Sequence, residues 1–483
     1  LRTGGMALQY HGEADLYIEN TQMDVTAYLG EGPELEGIHP AAFRIKYGAG
    51  IFSAFAFDMA KNIAYMRQGN PQWANSEGDG RLGIRPDDMF ARLDGTKWND
   101  PKLDHLPQAD IGARFIAEMV FSAIDMPLPR MWYLPEGVKA VVGVLGDSDG
   151  ADGEVISNQM LSVTSHDGFM SIYMIDLSID NVDPLTVQAW RDAGHEVSVH
   201  PNYKKDGDIA NPEPEKMKKV VRDIIVNFQE KFGFKPRTVR NHIVTWVGWV
   251  DQAKIERENG IRLDAMYAHH PVVSTTMWGA NPAGYLSGTG QPQRFIDEEG
   301  QVLDIYQATV HMVDEMMRTY VHVGDGQIEK SGFDDADEWT KERSDVIMPG
   351  LSGLEAFEHI RKMVEESING YYSFLLYQWH PIAFQKSVKL KRWVRGYLFP
   401  YLKKMGIPMW SAEMILDFVD ARNQTEFKDI TWDKGKLAFN VISDFKRSDL
   451  TIIIPAQQGG LEIEDIVADK PRKCDFWIDS IFG

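Results

Sequence analysis

The sequence predicts an α/β protein whose central domain is a parallel (β/α) barrel of seven or eight units. From about Val138 to Trp410, a short β-rich apolar run, a polar stretch and an amphipathic helical pattern recur along the chain. This alternation is typical of a parallel sheet covered by helices, and the number of units favours a barrel over an open doubly wound sheet. The predicted strands are Lys139–Gly146, Phe169–Asp176, His195–His200, Thr238–Trp246, Arg262–Tyr267, Val302–Val310, Tyr371–His380 and Pro408–Glu413.

Two helices between these strands have clear start or stop signals. The segment Pro214–Gly233 places apolar residues at helical spacing, and its last glycine suits a C-cap. Ser352 and Glu355 have the spacing of a capping box, in which each side chain bonds the backbone N–H of the other. We therefore expect helices to start or end at these points.

The flanks of the barrel region differ from it in pattern. Residues 1–135 contain short strand patterns such as Ala42–Tyr47 and Ile51–Phe57, followed by a stretch rich in Gly, Pro and Asn. Near the other end, Thr431–Ile442 and Leu450–Pro455 alternate apolar and polar residues without a helical pattern, which predicts a small β-sandwich-like appendage. The predicted division is 1–135, 136–420 and 421–483.

Composition and charge exclude several classes of protein. Of the 483 residues, 43% are hydrophobic and 25% are charged, as in ordinary globular domains. A net charge of −21 disfavours binding to nucleic acid and to anionic membranes, and no run of 18 apolar residues predicts a membrane span. The single cysteine, Cys474, excludes an intramolecular disulfide and a cysteine zinc site. The start Leu1–Gly5 reads as a processed end, so the compartment stays open. The oligomeric state stays open as well.

Polar side chains suited to metal binding and proton transfer recur where four predicted strands end. Asp147 and Asp149 share one strand parity, and His200, His242 and His380 come at or near the ends of three other strands. Catalytic side chains of barrels lie at this carboxyl edge of the sheet. Two imidazoles and a carboxylate are a common zinc ligand set, and a further carboxylate and histidine could serve as base and acid. The alternative is that each residue only satisfies hydrogen bonds at a loop start.

Further residues near the same edge are candidates for contacting a substrate. Arg240 shares a strand face with His242, and His269 and His311 follow or end other predicted strands. Trp246 and Trp249 fall in a loop, where an indole could stack on a sugar face. Capping and loop hydrogen bonds are the alternative for the histidines, and core packing is the alternative for the tryptophans.

These motifs, in this order, resemble polysaccharide deacetylases of the NodB-homology type (carbohydrate esterase family four) over roughly residues 138–415. The segments that resemble the family are Gly146–Asp149, Gly194–His200, Arg240–His242 and Leu375–His380. The resemblance implies a NodB-type barrel with one divalent metal, usually zinc. It also implies Asp147 as the catalytic base, His200 as a metal ligand and His380 as the catalytic acid.

Three positions depart from the family pattern. Ser148 stands where the family has its metal-binding Asp, Lys204 stands where it has its second metal-binding His, and His242 replaces the proline of its Arg-x-Pro motif. Strand parity suggests that Asp149 and His242 take over the two lost roles, which would restore an Asp/His/His ligand set. If they do not, the site is metal-free and the domain is an inert relative.

A second resemblance concerns the region before the barrel. The stretch from Ala54 through Arg67–Pro71 to Asp88 looks like the later half of a class I glutamine-amidotransferase-like domain of flavodoxin type. The resemblance implies a partial parallel α/β domain. No cysteine lies in this stretch, so the amidotransferase nucleophile is absent and a non-catalytic, structural role is expected.

The function expected from these observations is a metal-dependent hydrolase that removes acyl groups, such as acetyl, from a carbohydrate through an N- or O-linked bond. A glycan substrate favours a secreted or cell-surface location. The rival hypothesis is a carbohydrate-binding or scaffold protein with an inert barrel. A glycoside hydrolase is a third alternative, against which the histidine-rich strand ends argue, because such enzymes use a pair of carboxylates.

Overall fold

The computed structural model describes residues 8–30, 39–78, 83–92, 94–268, 283–317, 320–323, 327–330, 347–348, 351–455, 457–458 and 461–462. Among these residues, no helix has both the length and the apolar character needed to cross a bilayer.

Strands are numbered here in chain order. They are β1 Met23–Leu29, β2 His39–Tyr47, β3 Gly50–Phe55, β4 Arg130–Met131, β5 Val141–Asp147, β6 Ser171–Met174, β7 Glu196–Val199, β8 Thr238–Val239, β9 Leu263–Asp264, β10 Gln293–Ile296, β11 Val302–Gln307, β12 Val310–Val313, β13 Tyr320–Val323, β14 Gln327–Lys330, β15 Ile347–Met348, β16 Phe374–Gln378, β17 Met409–Trp410, β18 Glu426–Asp433, β19 Lys436–Ile442, β20 Ile452–Ile453, β21 Gln457–Gln458 and β22 Leu461–Glu462.

The α-helices are numbered in the same way. They are α1 Met59–Gln68, α2 Gln108–Phe121, α3 Gly153–Thr164, α4 Asp176–Asn181, α5 Pro184–Asp192, α6 Tyr203–Asp206, α7 Pro214–Phe232, α8 Asp251–Glu258, α9 Gly353–Glu366, α10 Pro381–Lys386, α11 Val388–Lys391, α12 Phe399–Met405 and α13 Ala412–Asn423.

A curled, mainly parallel sheet forms the centre of the protein. Its strand order is β10-β11-β9-β8-β7-β6-β5-β16-β12, and β17 pairs with β5 as well. Only the pairing of β10 with β11 is antiparallel. The chain from β11 to β12 contacts both ends of the curl, because β11 pairs with β9 while β12 pairs with β16. A parallel bridge from Ala268 to Val310 adds a further link across the gap. A mixed α/β fold with a curled parallel sheet is therefore confirmed.

The two faces of the sheet bury separate apolar clusters, which explains the alternating pattern of the strands. Along β5, Val142 and Val144 belong to the cluster shared with helices α3, α5 and α7. Val141 and Leu145 belong to a second cluster, which is closed by apolar residues of α13. Asp147 continues this second face at the end of β5. Successive residues of a strand point to opposite faces, so the parity predicted from sequence holds here.

Local signals set the helix boundaries as expected. Helix α7 ends at Gly233, which has a positive φ of 79° that a glycine adopts without steric cost. At the start of α9, Ser352 and Glu355 form the reciprocal hydrogen bonds of a capping box. Both helix signals read from the sequence are therefore confirmed.

Two predicted strands differ from the structure in extent. Instead of continuing to Trp246, β8 ends at Val239 because the chain turns at His242–Val244, where the backbone is helical or left-handed. The predicted strand Val302–Val310 is divided between β11 and β12. In both cases the apolar pattern continues beyond the hydrogen-bonded strand, so sequence alone overestimated its length.

The described N-terminal strands do not form the parallel sheet that the flavodoxin resemblance implies. Strands β1, β2 and β3 form an antiparallel sheet in which β2 and β3 are joined by a tight turn at Gly48, with a φ of 59°. Parallel strands need a long crossover, which so short a connection cannot supply. In the described part of residues 1–135, the flavodoxin-type domain is therefore not confirmed.

The described C-terminal strands form short antiparallel pairs. Strands β18 and β19 pair with each other, β21 and β22 form a second short pair, and β20 pairs with β4. Within the described residues after 420, no second sheet packs against the hairpin β18–β19, whose residues are largely exposed or half-buried. The β-sandwich-like appendage is not confirmed.

Candidate functional site

The candidate site lies where parallel strands of the central sheet end. Asp147 is the last residue of β5, and His200 directly follows β7. His242 follows β8, Asp314 follows β12, and His380 comes two residues after β16. Because the carboxyl ends of parallel strands lie at one edge of a sheet, the fold brings these side chains together.

Asp149 lies at the centre of this group. Its Oδ1 is 3.4 Å from Nε2 of His200 and 3.8 Å from Nε2 of His242, and its Oδ2 is 3.3 Å from Nε2 of His380. The two imidazole rings of His200 and His242 are 5.4 Å apart between centroids. Asp149 itself has a left-handed backbone, with a φ of 46°, which turns its carboxylate out of the strand direction. One carboxylate thus faces three histidines that come from three other strands.

The carboxylate and two of the imidazoles fit a divalent metal. Zinc bonds of about 2.0–2.2 Å at tetrahedral angles separate neighbouring ligand atoms by about 3.4 Å. The distances from Asp149 to His200 and His242 are close to this value. Two neutral imidazoles and one carboxylate also leave a fourth position for water or substrate, as in catalytic zinc sites. The residue types and the two distances to Asp149 therefore suit zinc.

Hydrogen bonds orient both imidazoles of this set. Nδ1 of His200 lies 2.5 Å from the backbone carbonyl of Arg240, and Nδ1 of His242 lies 2.9 Å from Oδ1 of Asn202. These oxygens only accept, so each Nδ1 donates and the neutral ring keeps its Nε2 lone pair for the site. Such support of the second ring nitrogen is usual for metal-binding histidines.

The charge states of the group also suit metal binding. Burial, followed by the neighbouring His200, lowers the pKa of His242 to about 4, so this ring is neutral at pH 7. Burial by itself would raise the pKa of Asp149, but the nearby imidazoles of His200, His380 and His242 hold it well below its usual range. An ionised carboxylate thus faces a neutral imidazole.

Asp147 is held by a buried arginine. Nε of Arg240 donates to Oδ2 of Asp147 at 2.9 Å, and the two side chains are 5% and 6% exposed. A second nitrogen of Arg240 donates to the carbonyl of Ala265. Among the described residues, none hydrogen-bonds Oδ1 of Asp147, although this atom is buried. The structure therefore leaves one buried oxygen of Asp147 without a hydrogen bond from the described residues.

His380 is held by Asp314 at two points. Oδ1 of Asp314 accepts from Nδ1 of the ring at 2.8 Å, and Oδ2 accepts from the backbone N–H of His380 at 3.0 Å. Burial lowers the pKa of His380, but the carboxylates of Asp314 and Glu315 outweigh it and raise this pKa to about 10. The ring is therefore protonated at neutral pH.

Asp314 and Glu315 follow a predicted strand, and from sequence they are only weak candidates for substrate contact, without a role in metal binding or proton transfer. Asp314, Glu315 and His380 each offer one ligand atom, and these three atoms all lie within 4.8 Å of one another. The trio is therefore a further possible metal site. Because Nδ1 of His380 already bonds Asp314, the trio is better explained as the support of a protonated histidine.

Two of the three departures from the family motif, Ser148 and Lys204, lie outside this ligand group. Ser148 is fully buried, and its Oγ accepts from the backbone N–H of Ile175 at 3.1 Å. Lys204 is exposed on the short helix α6. His195, the other histidine of the same strand region, points away from the site, because its ring nitrogens bond Thr164 and the backbone of Met170.

The predicted substrate-contacting residues do not form an open surface. Trp246 is 1% exposed and packs on Tyr267, and Trp249 is buried with Nε1 donating to the carbonyl of Gln68. His311 is buried, with Nδ1 accepting from the backbone of Leu376 at 3.2 Å.

For these two tryptophans the burial favours the core-packing alternative over sugar stacking, because the segments around Gln68 and Ile84 cover their loop. Arg240 is buried against Asp147 instead of facing solvent. His269 lies outside the described residues.

Comparisons with known proteins return similar solved structures at low identity. No protein-family model matches the sequence, and no curated protein matches it. A structure described as a polysaccharide deacetylase of Mycobacterium smegmatis is 13% identical, with a TM-score of 0.41, over 64% of this chain and 100% of that chain.

A peptidoglycan N-acetylglucosamine deacetylase is 9% identical, with a TM-score of 0.32, over 59% of this chain and 91% of that one. A pseudoenzyme of carbohydrate esterase family four from Bacillus anthracis is 10% identical, with a TM-score of 0.29, over 58% and 66%. All three scores lie below 0.5, so the function proposed for this chain rests on the residues of the site.

Proposed function

We propose that the protein is a metal-dependent hydrolase that removes acyl groups, such as acetyl, from a carbohydrate. The observation that carries the proposal is the approach of His200, His242 and His380 to the Asp149 carboxylate. Asp147, two residues before Asp149, is held by Arg240 at the end of β5. The site lies in the proposed barrel region 136–420. Regions 1–135 and 421–483 contribute no residue of this group, and we propose that they are non-catalytic.

Asp149, His200 and His242 would hold the metal, with zinc as the expected ion. When bound, zinc polarises an acyl oxygen and lowers the pKa of water at the site. The hydrogen bonds to Arg240 and Asn202 keep the two imidazoles turned with Nε2 toward Asp149. Both imidazoles are therefore already turned toward the carboxylate that would share the ion with them.

Asp147 would act as the general base. Its Oδ2 is fixed by Arg240, while the buried Oδ1 has no partner among the described residues and could accept a proton from an attacking water. Arg240 also orients His200 through its backbone carbonyl. One residue thus positions both the base and a ligand.

His380 would act as the general acid. The ring is protonated because of Asp314, and its Nε2–H faces the same space as the Asp149 carboxylate. A departing amine or alkoxide needs a proton at the moment the acyl bond breaks, and His380 is placed to supply it. That the leaving group is a sugar amine or hydroxyl is supported by the motif resemblance.

Metal content tests the ligand assignment. Protein purified without a polyhistidine tag should contain one zinc per chain, and His200→Ala should lose it. His195→Ala is the matched control, because this buried histidine of the same strand region bonds Thr164 and should leave the metal in place. Equal metal loss in both variants would contradict the assignment.

Acetate release from acetylated oligosaccharides and aryl esters tests the reaction. Asp147→Asn should retain zinc while hydrolysis falls about 10²–10⁴-fold, the usual contribution of a general base. A wild-type protein that binds sugars but releases no acetate with zinc, cobalt or nickel would favour the inert binding module. Release of reducing sugar ends without acetate would favour a glycoside hydrolase.

A further inference from the structure

The side chain of Asn202 does not make the hydrogen bond that is usual at its position in the fold. It is the N-cap residue of α6 (Tyr203–Asp206), where an Asn side chain ordinarily accepts from a backbone N–H of the first helical turn. No such capping bond is present. Instead, Oδ1 of Asn202 lies 2.9 Å from Nδ1 of His242. The side chain therefore gives up a local, stabilising contact for one that spans 40 positions of sequence.

The loop that contains His242 is held in a strained conformation. Ile243 and Val244 both have left-handed backbones, with φ values of 61° and 50°. This region is unfavourable for β-branched residues, so such strain persists only where surrounding contacts impose it. Here Nδ2 of Asn241 donates to the carbonyl of Thr245 at 3.1 Å, which closes the turn.

The segment Pro201–Asn202 contacts both the backbone and the ring of His242. The backbone N–H of His242 donates to the carbonyl of Pro201 at 2.9 Å, directly before Asn202. Pro201 and Asn202 therefore fix the backbone and the ring of His242 together. Lys204, two residues further on, is exposed on α6 and takes no part.

We propose that Asn202 is a positioning residue that selects the Nδ1–H tautomer of His242 and aims its Nε2 at the metal site. The proposal rests on the proposed function, because it takes His242 as a metal ligand. In this arrangement, Asn202 follows β7 and supports the imidazole of His242, which lies in the strained turn after β8. An amide oxygen suits the task because it accepts a hydrogen bond without adding charge.

Zinc affinity, measured by competition with a chromogenic chelator, tests the proposal without using activity. Asn202→Leu has similar volume but no acceptor, so we expect zinc to bind about 10–100-fold more weakly, as when other supporting partners of metal-binding histidines are removed. Asn202→Asp keeps an acceptor oxygen and should restore wild-type affinity or better. Asn211→Leu is the control, because Asn211 bonds only Asp208 on the nearby surface.

A double variant separates positioning from a general structural effect. If Asn202 acts only through His242, adding Asn202→Leu to His242→Ala should weaken zinc binding no further than His242→Ala alone. Thermal unfolding of the metal-free variants shows whether each one folds. If Asn202→Leu does not fold, Asn202→Ala takes its place, since the side chain is only half-buried.

The outcomes distinguish this proposal from the proposed function. Loss of affinity in His242→Ala but not in Asn202→Leu would overturn the positioning role and leave the ligand set intact. Unchanged affinity in His242→Ala would overturn both His242 as a ligand and Asn202 as its support. Equal weakening by Asn202→Leu and Asn211→Leu, or further weakening in the double variant, would also overturn the positioning role.

Discussion

Removal of Arg240 should destabilise the protein because it leaves Asp147 as a buried carboxylate without its cation. The pair is 2.9 Å long and both side chains are about 5% exposed. At an effective dielectric constant of about 20, the attraction at this distance is about 6 kcal/mol before desolvation is subtracted. Loss of one partner of a buried pair costs about 3–5 kcal/mol in measured cases. We therefore expect Arg240→Met to lower the free energy of unfolding by that amount.

Thermal unfolding is the assay, followed by circular dichroism on metal-free protein. For the region 136–420, which has about 285 residues, 1 kcal/mol corresponds to about 1.5–2 °C, so Tm should fall by roughly 5–10 °C. The control is Arg237→Met, because Arg237 is 37% exposed and its ion pairs with Glu413 and Asp417 lie near the surface. Pairs of this kind are worth about 1 kcal/mol or less.

A double variant provides the refuting comparison. In Arg240→Met with Asp147→Asn, both charges are gone, so Tm should recover above that of Arg240→Met alone. Arg237→Met should stay within a few degrees of wild type. If Arg240→Met lowers Tm no more than Arg237→Met, or if the double variant is less stable than Arg240→Met, the buried pair does not hold Asp147 in place as argued.

Three further predictions follow from the same contacts. Asp314→Asn removes the carboxylate that raises the pKa of His380, so the alkaline fall in acetate release should move to lower pH by about 1–3 pH units. If the pH profile of acetate release does not move, His380 is not the acid. Burial and the nearby Glu413 raise the pKa of Glu196 to about 7, so the folded protein loses stability as pH rises from about 4.5 to 7. In urea unfolding, Glu196→Gln should therefore gain more stability over wild type at pH 8 than at pH 5, by an amount on the order of 3 kcal/mol. The same gain at both pH values would refute this. Trp246→Ala should lower the free energy of unfolding by about 3–5 kcal/mol, while Trp246→Phe should leave the KM for an acetylated oligosaccharide unchanged; a raised KM in a stable Phe variant would restore the sugar-stacking hypothesis.

The sequence by itself determined where the strands of the central sheet lie and which of their residues share a face. Period-two alternation predicts the two faces of a strand, and parallel strands bring their carboxyl ends to one edge. These rules grouped Asp149, His200, His242 and His380, and the structure places the Nε2 atoms of the three histidines 3.3–3.8 Å from the Asp149 carboxylate. Asp149 and His242 nevertheless lie beyond the ends of β5 and β8, where alternation no longer applies, so turns bring them there. The assignment of ligand and acid roles to them remains a prediction.

Only the tertiary structure decided which side chains around that edge are covered and what each one bonds. The alternation of a strand states which way a residue points, but it carries no information about a distant segment that packs over it. Trp249 is buried because its indole donates to Gln68, which is 181 positions earlier in the chain. Likewise, the pairing of Asp314 with His380, and of Asn202 with His242, joins loops from different strands whose distance depends on the closure of the whole sheet.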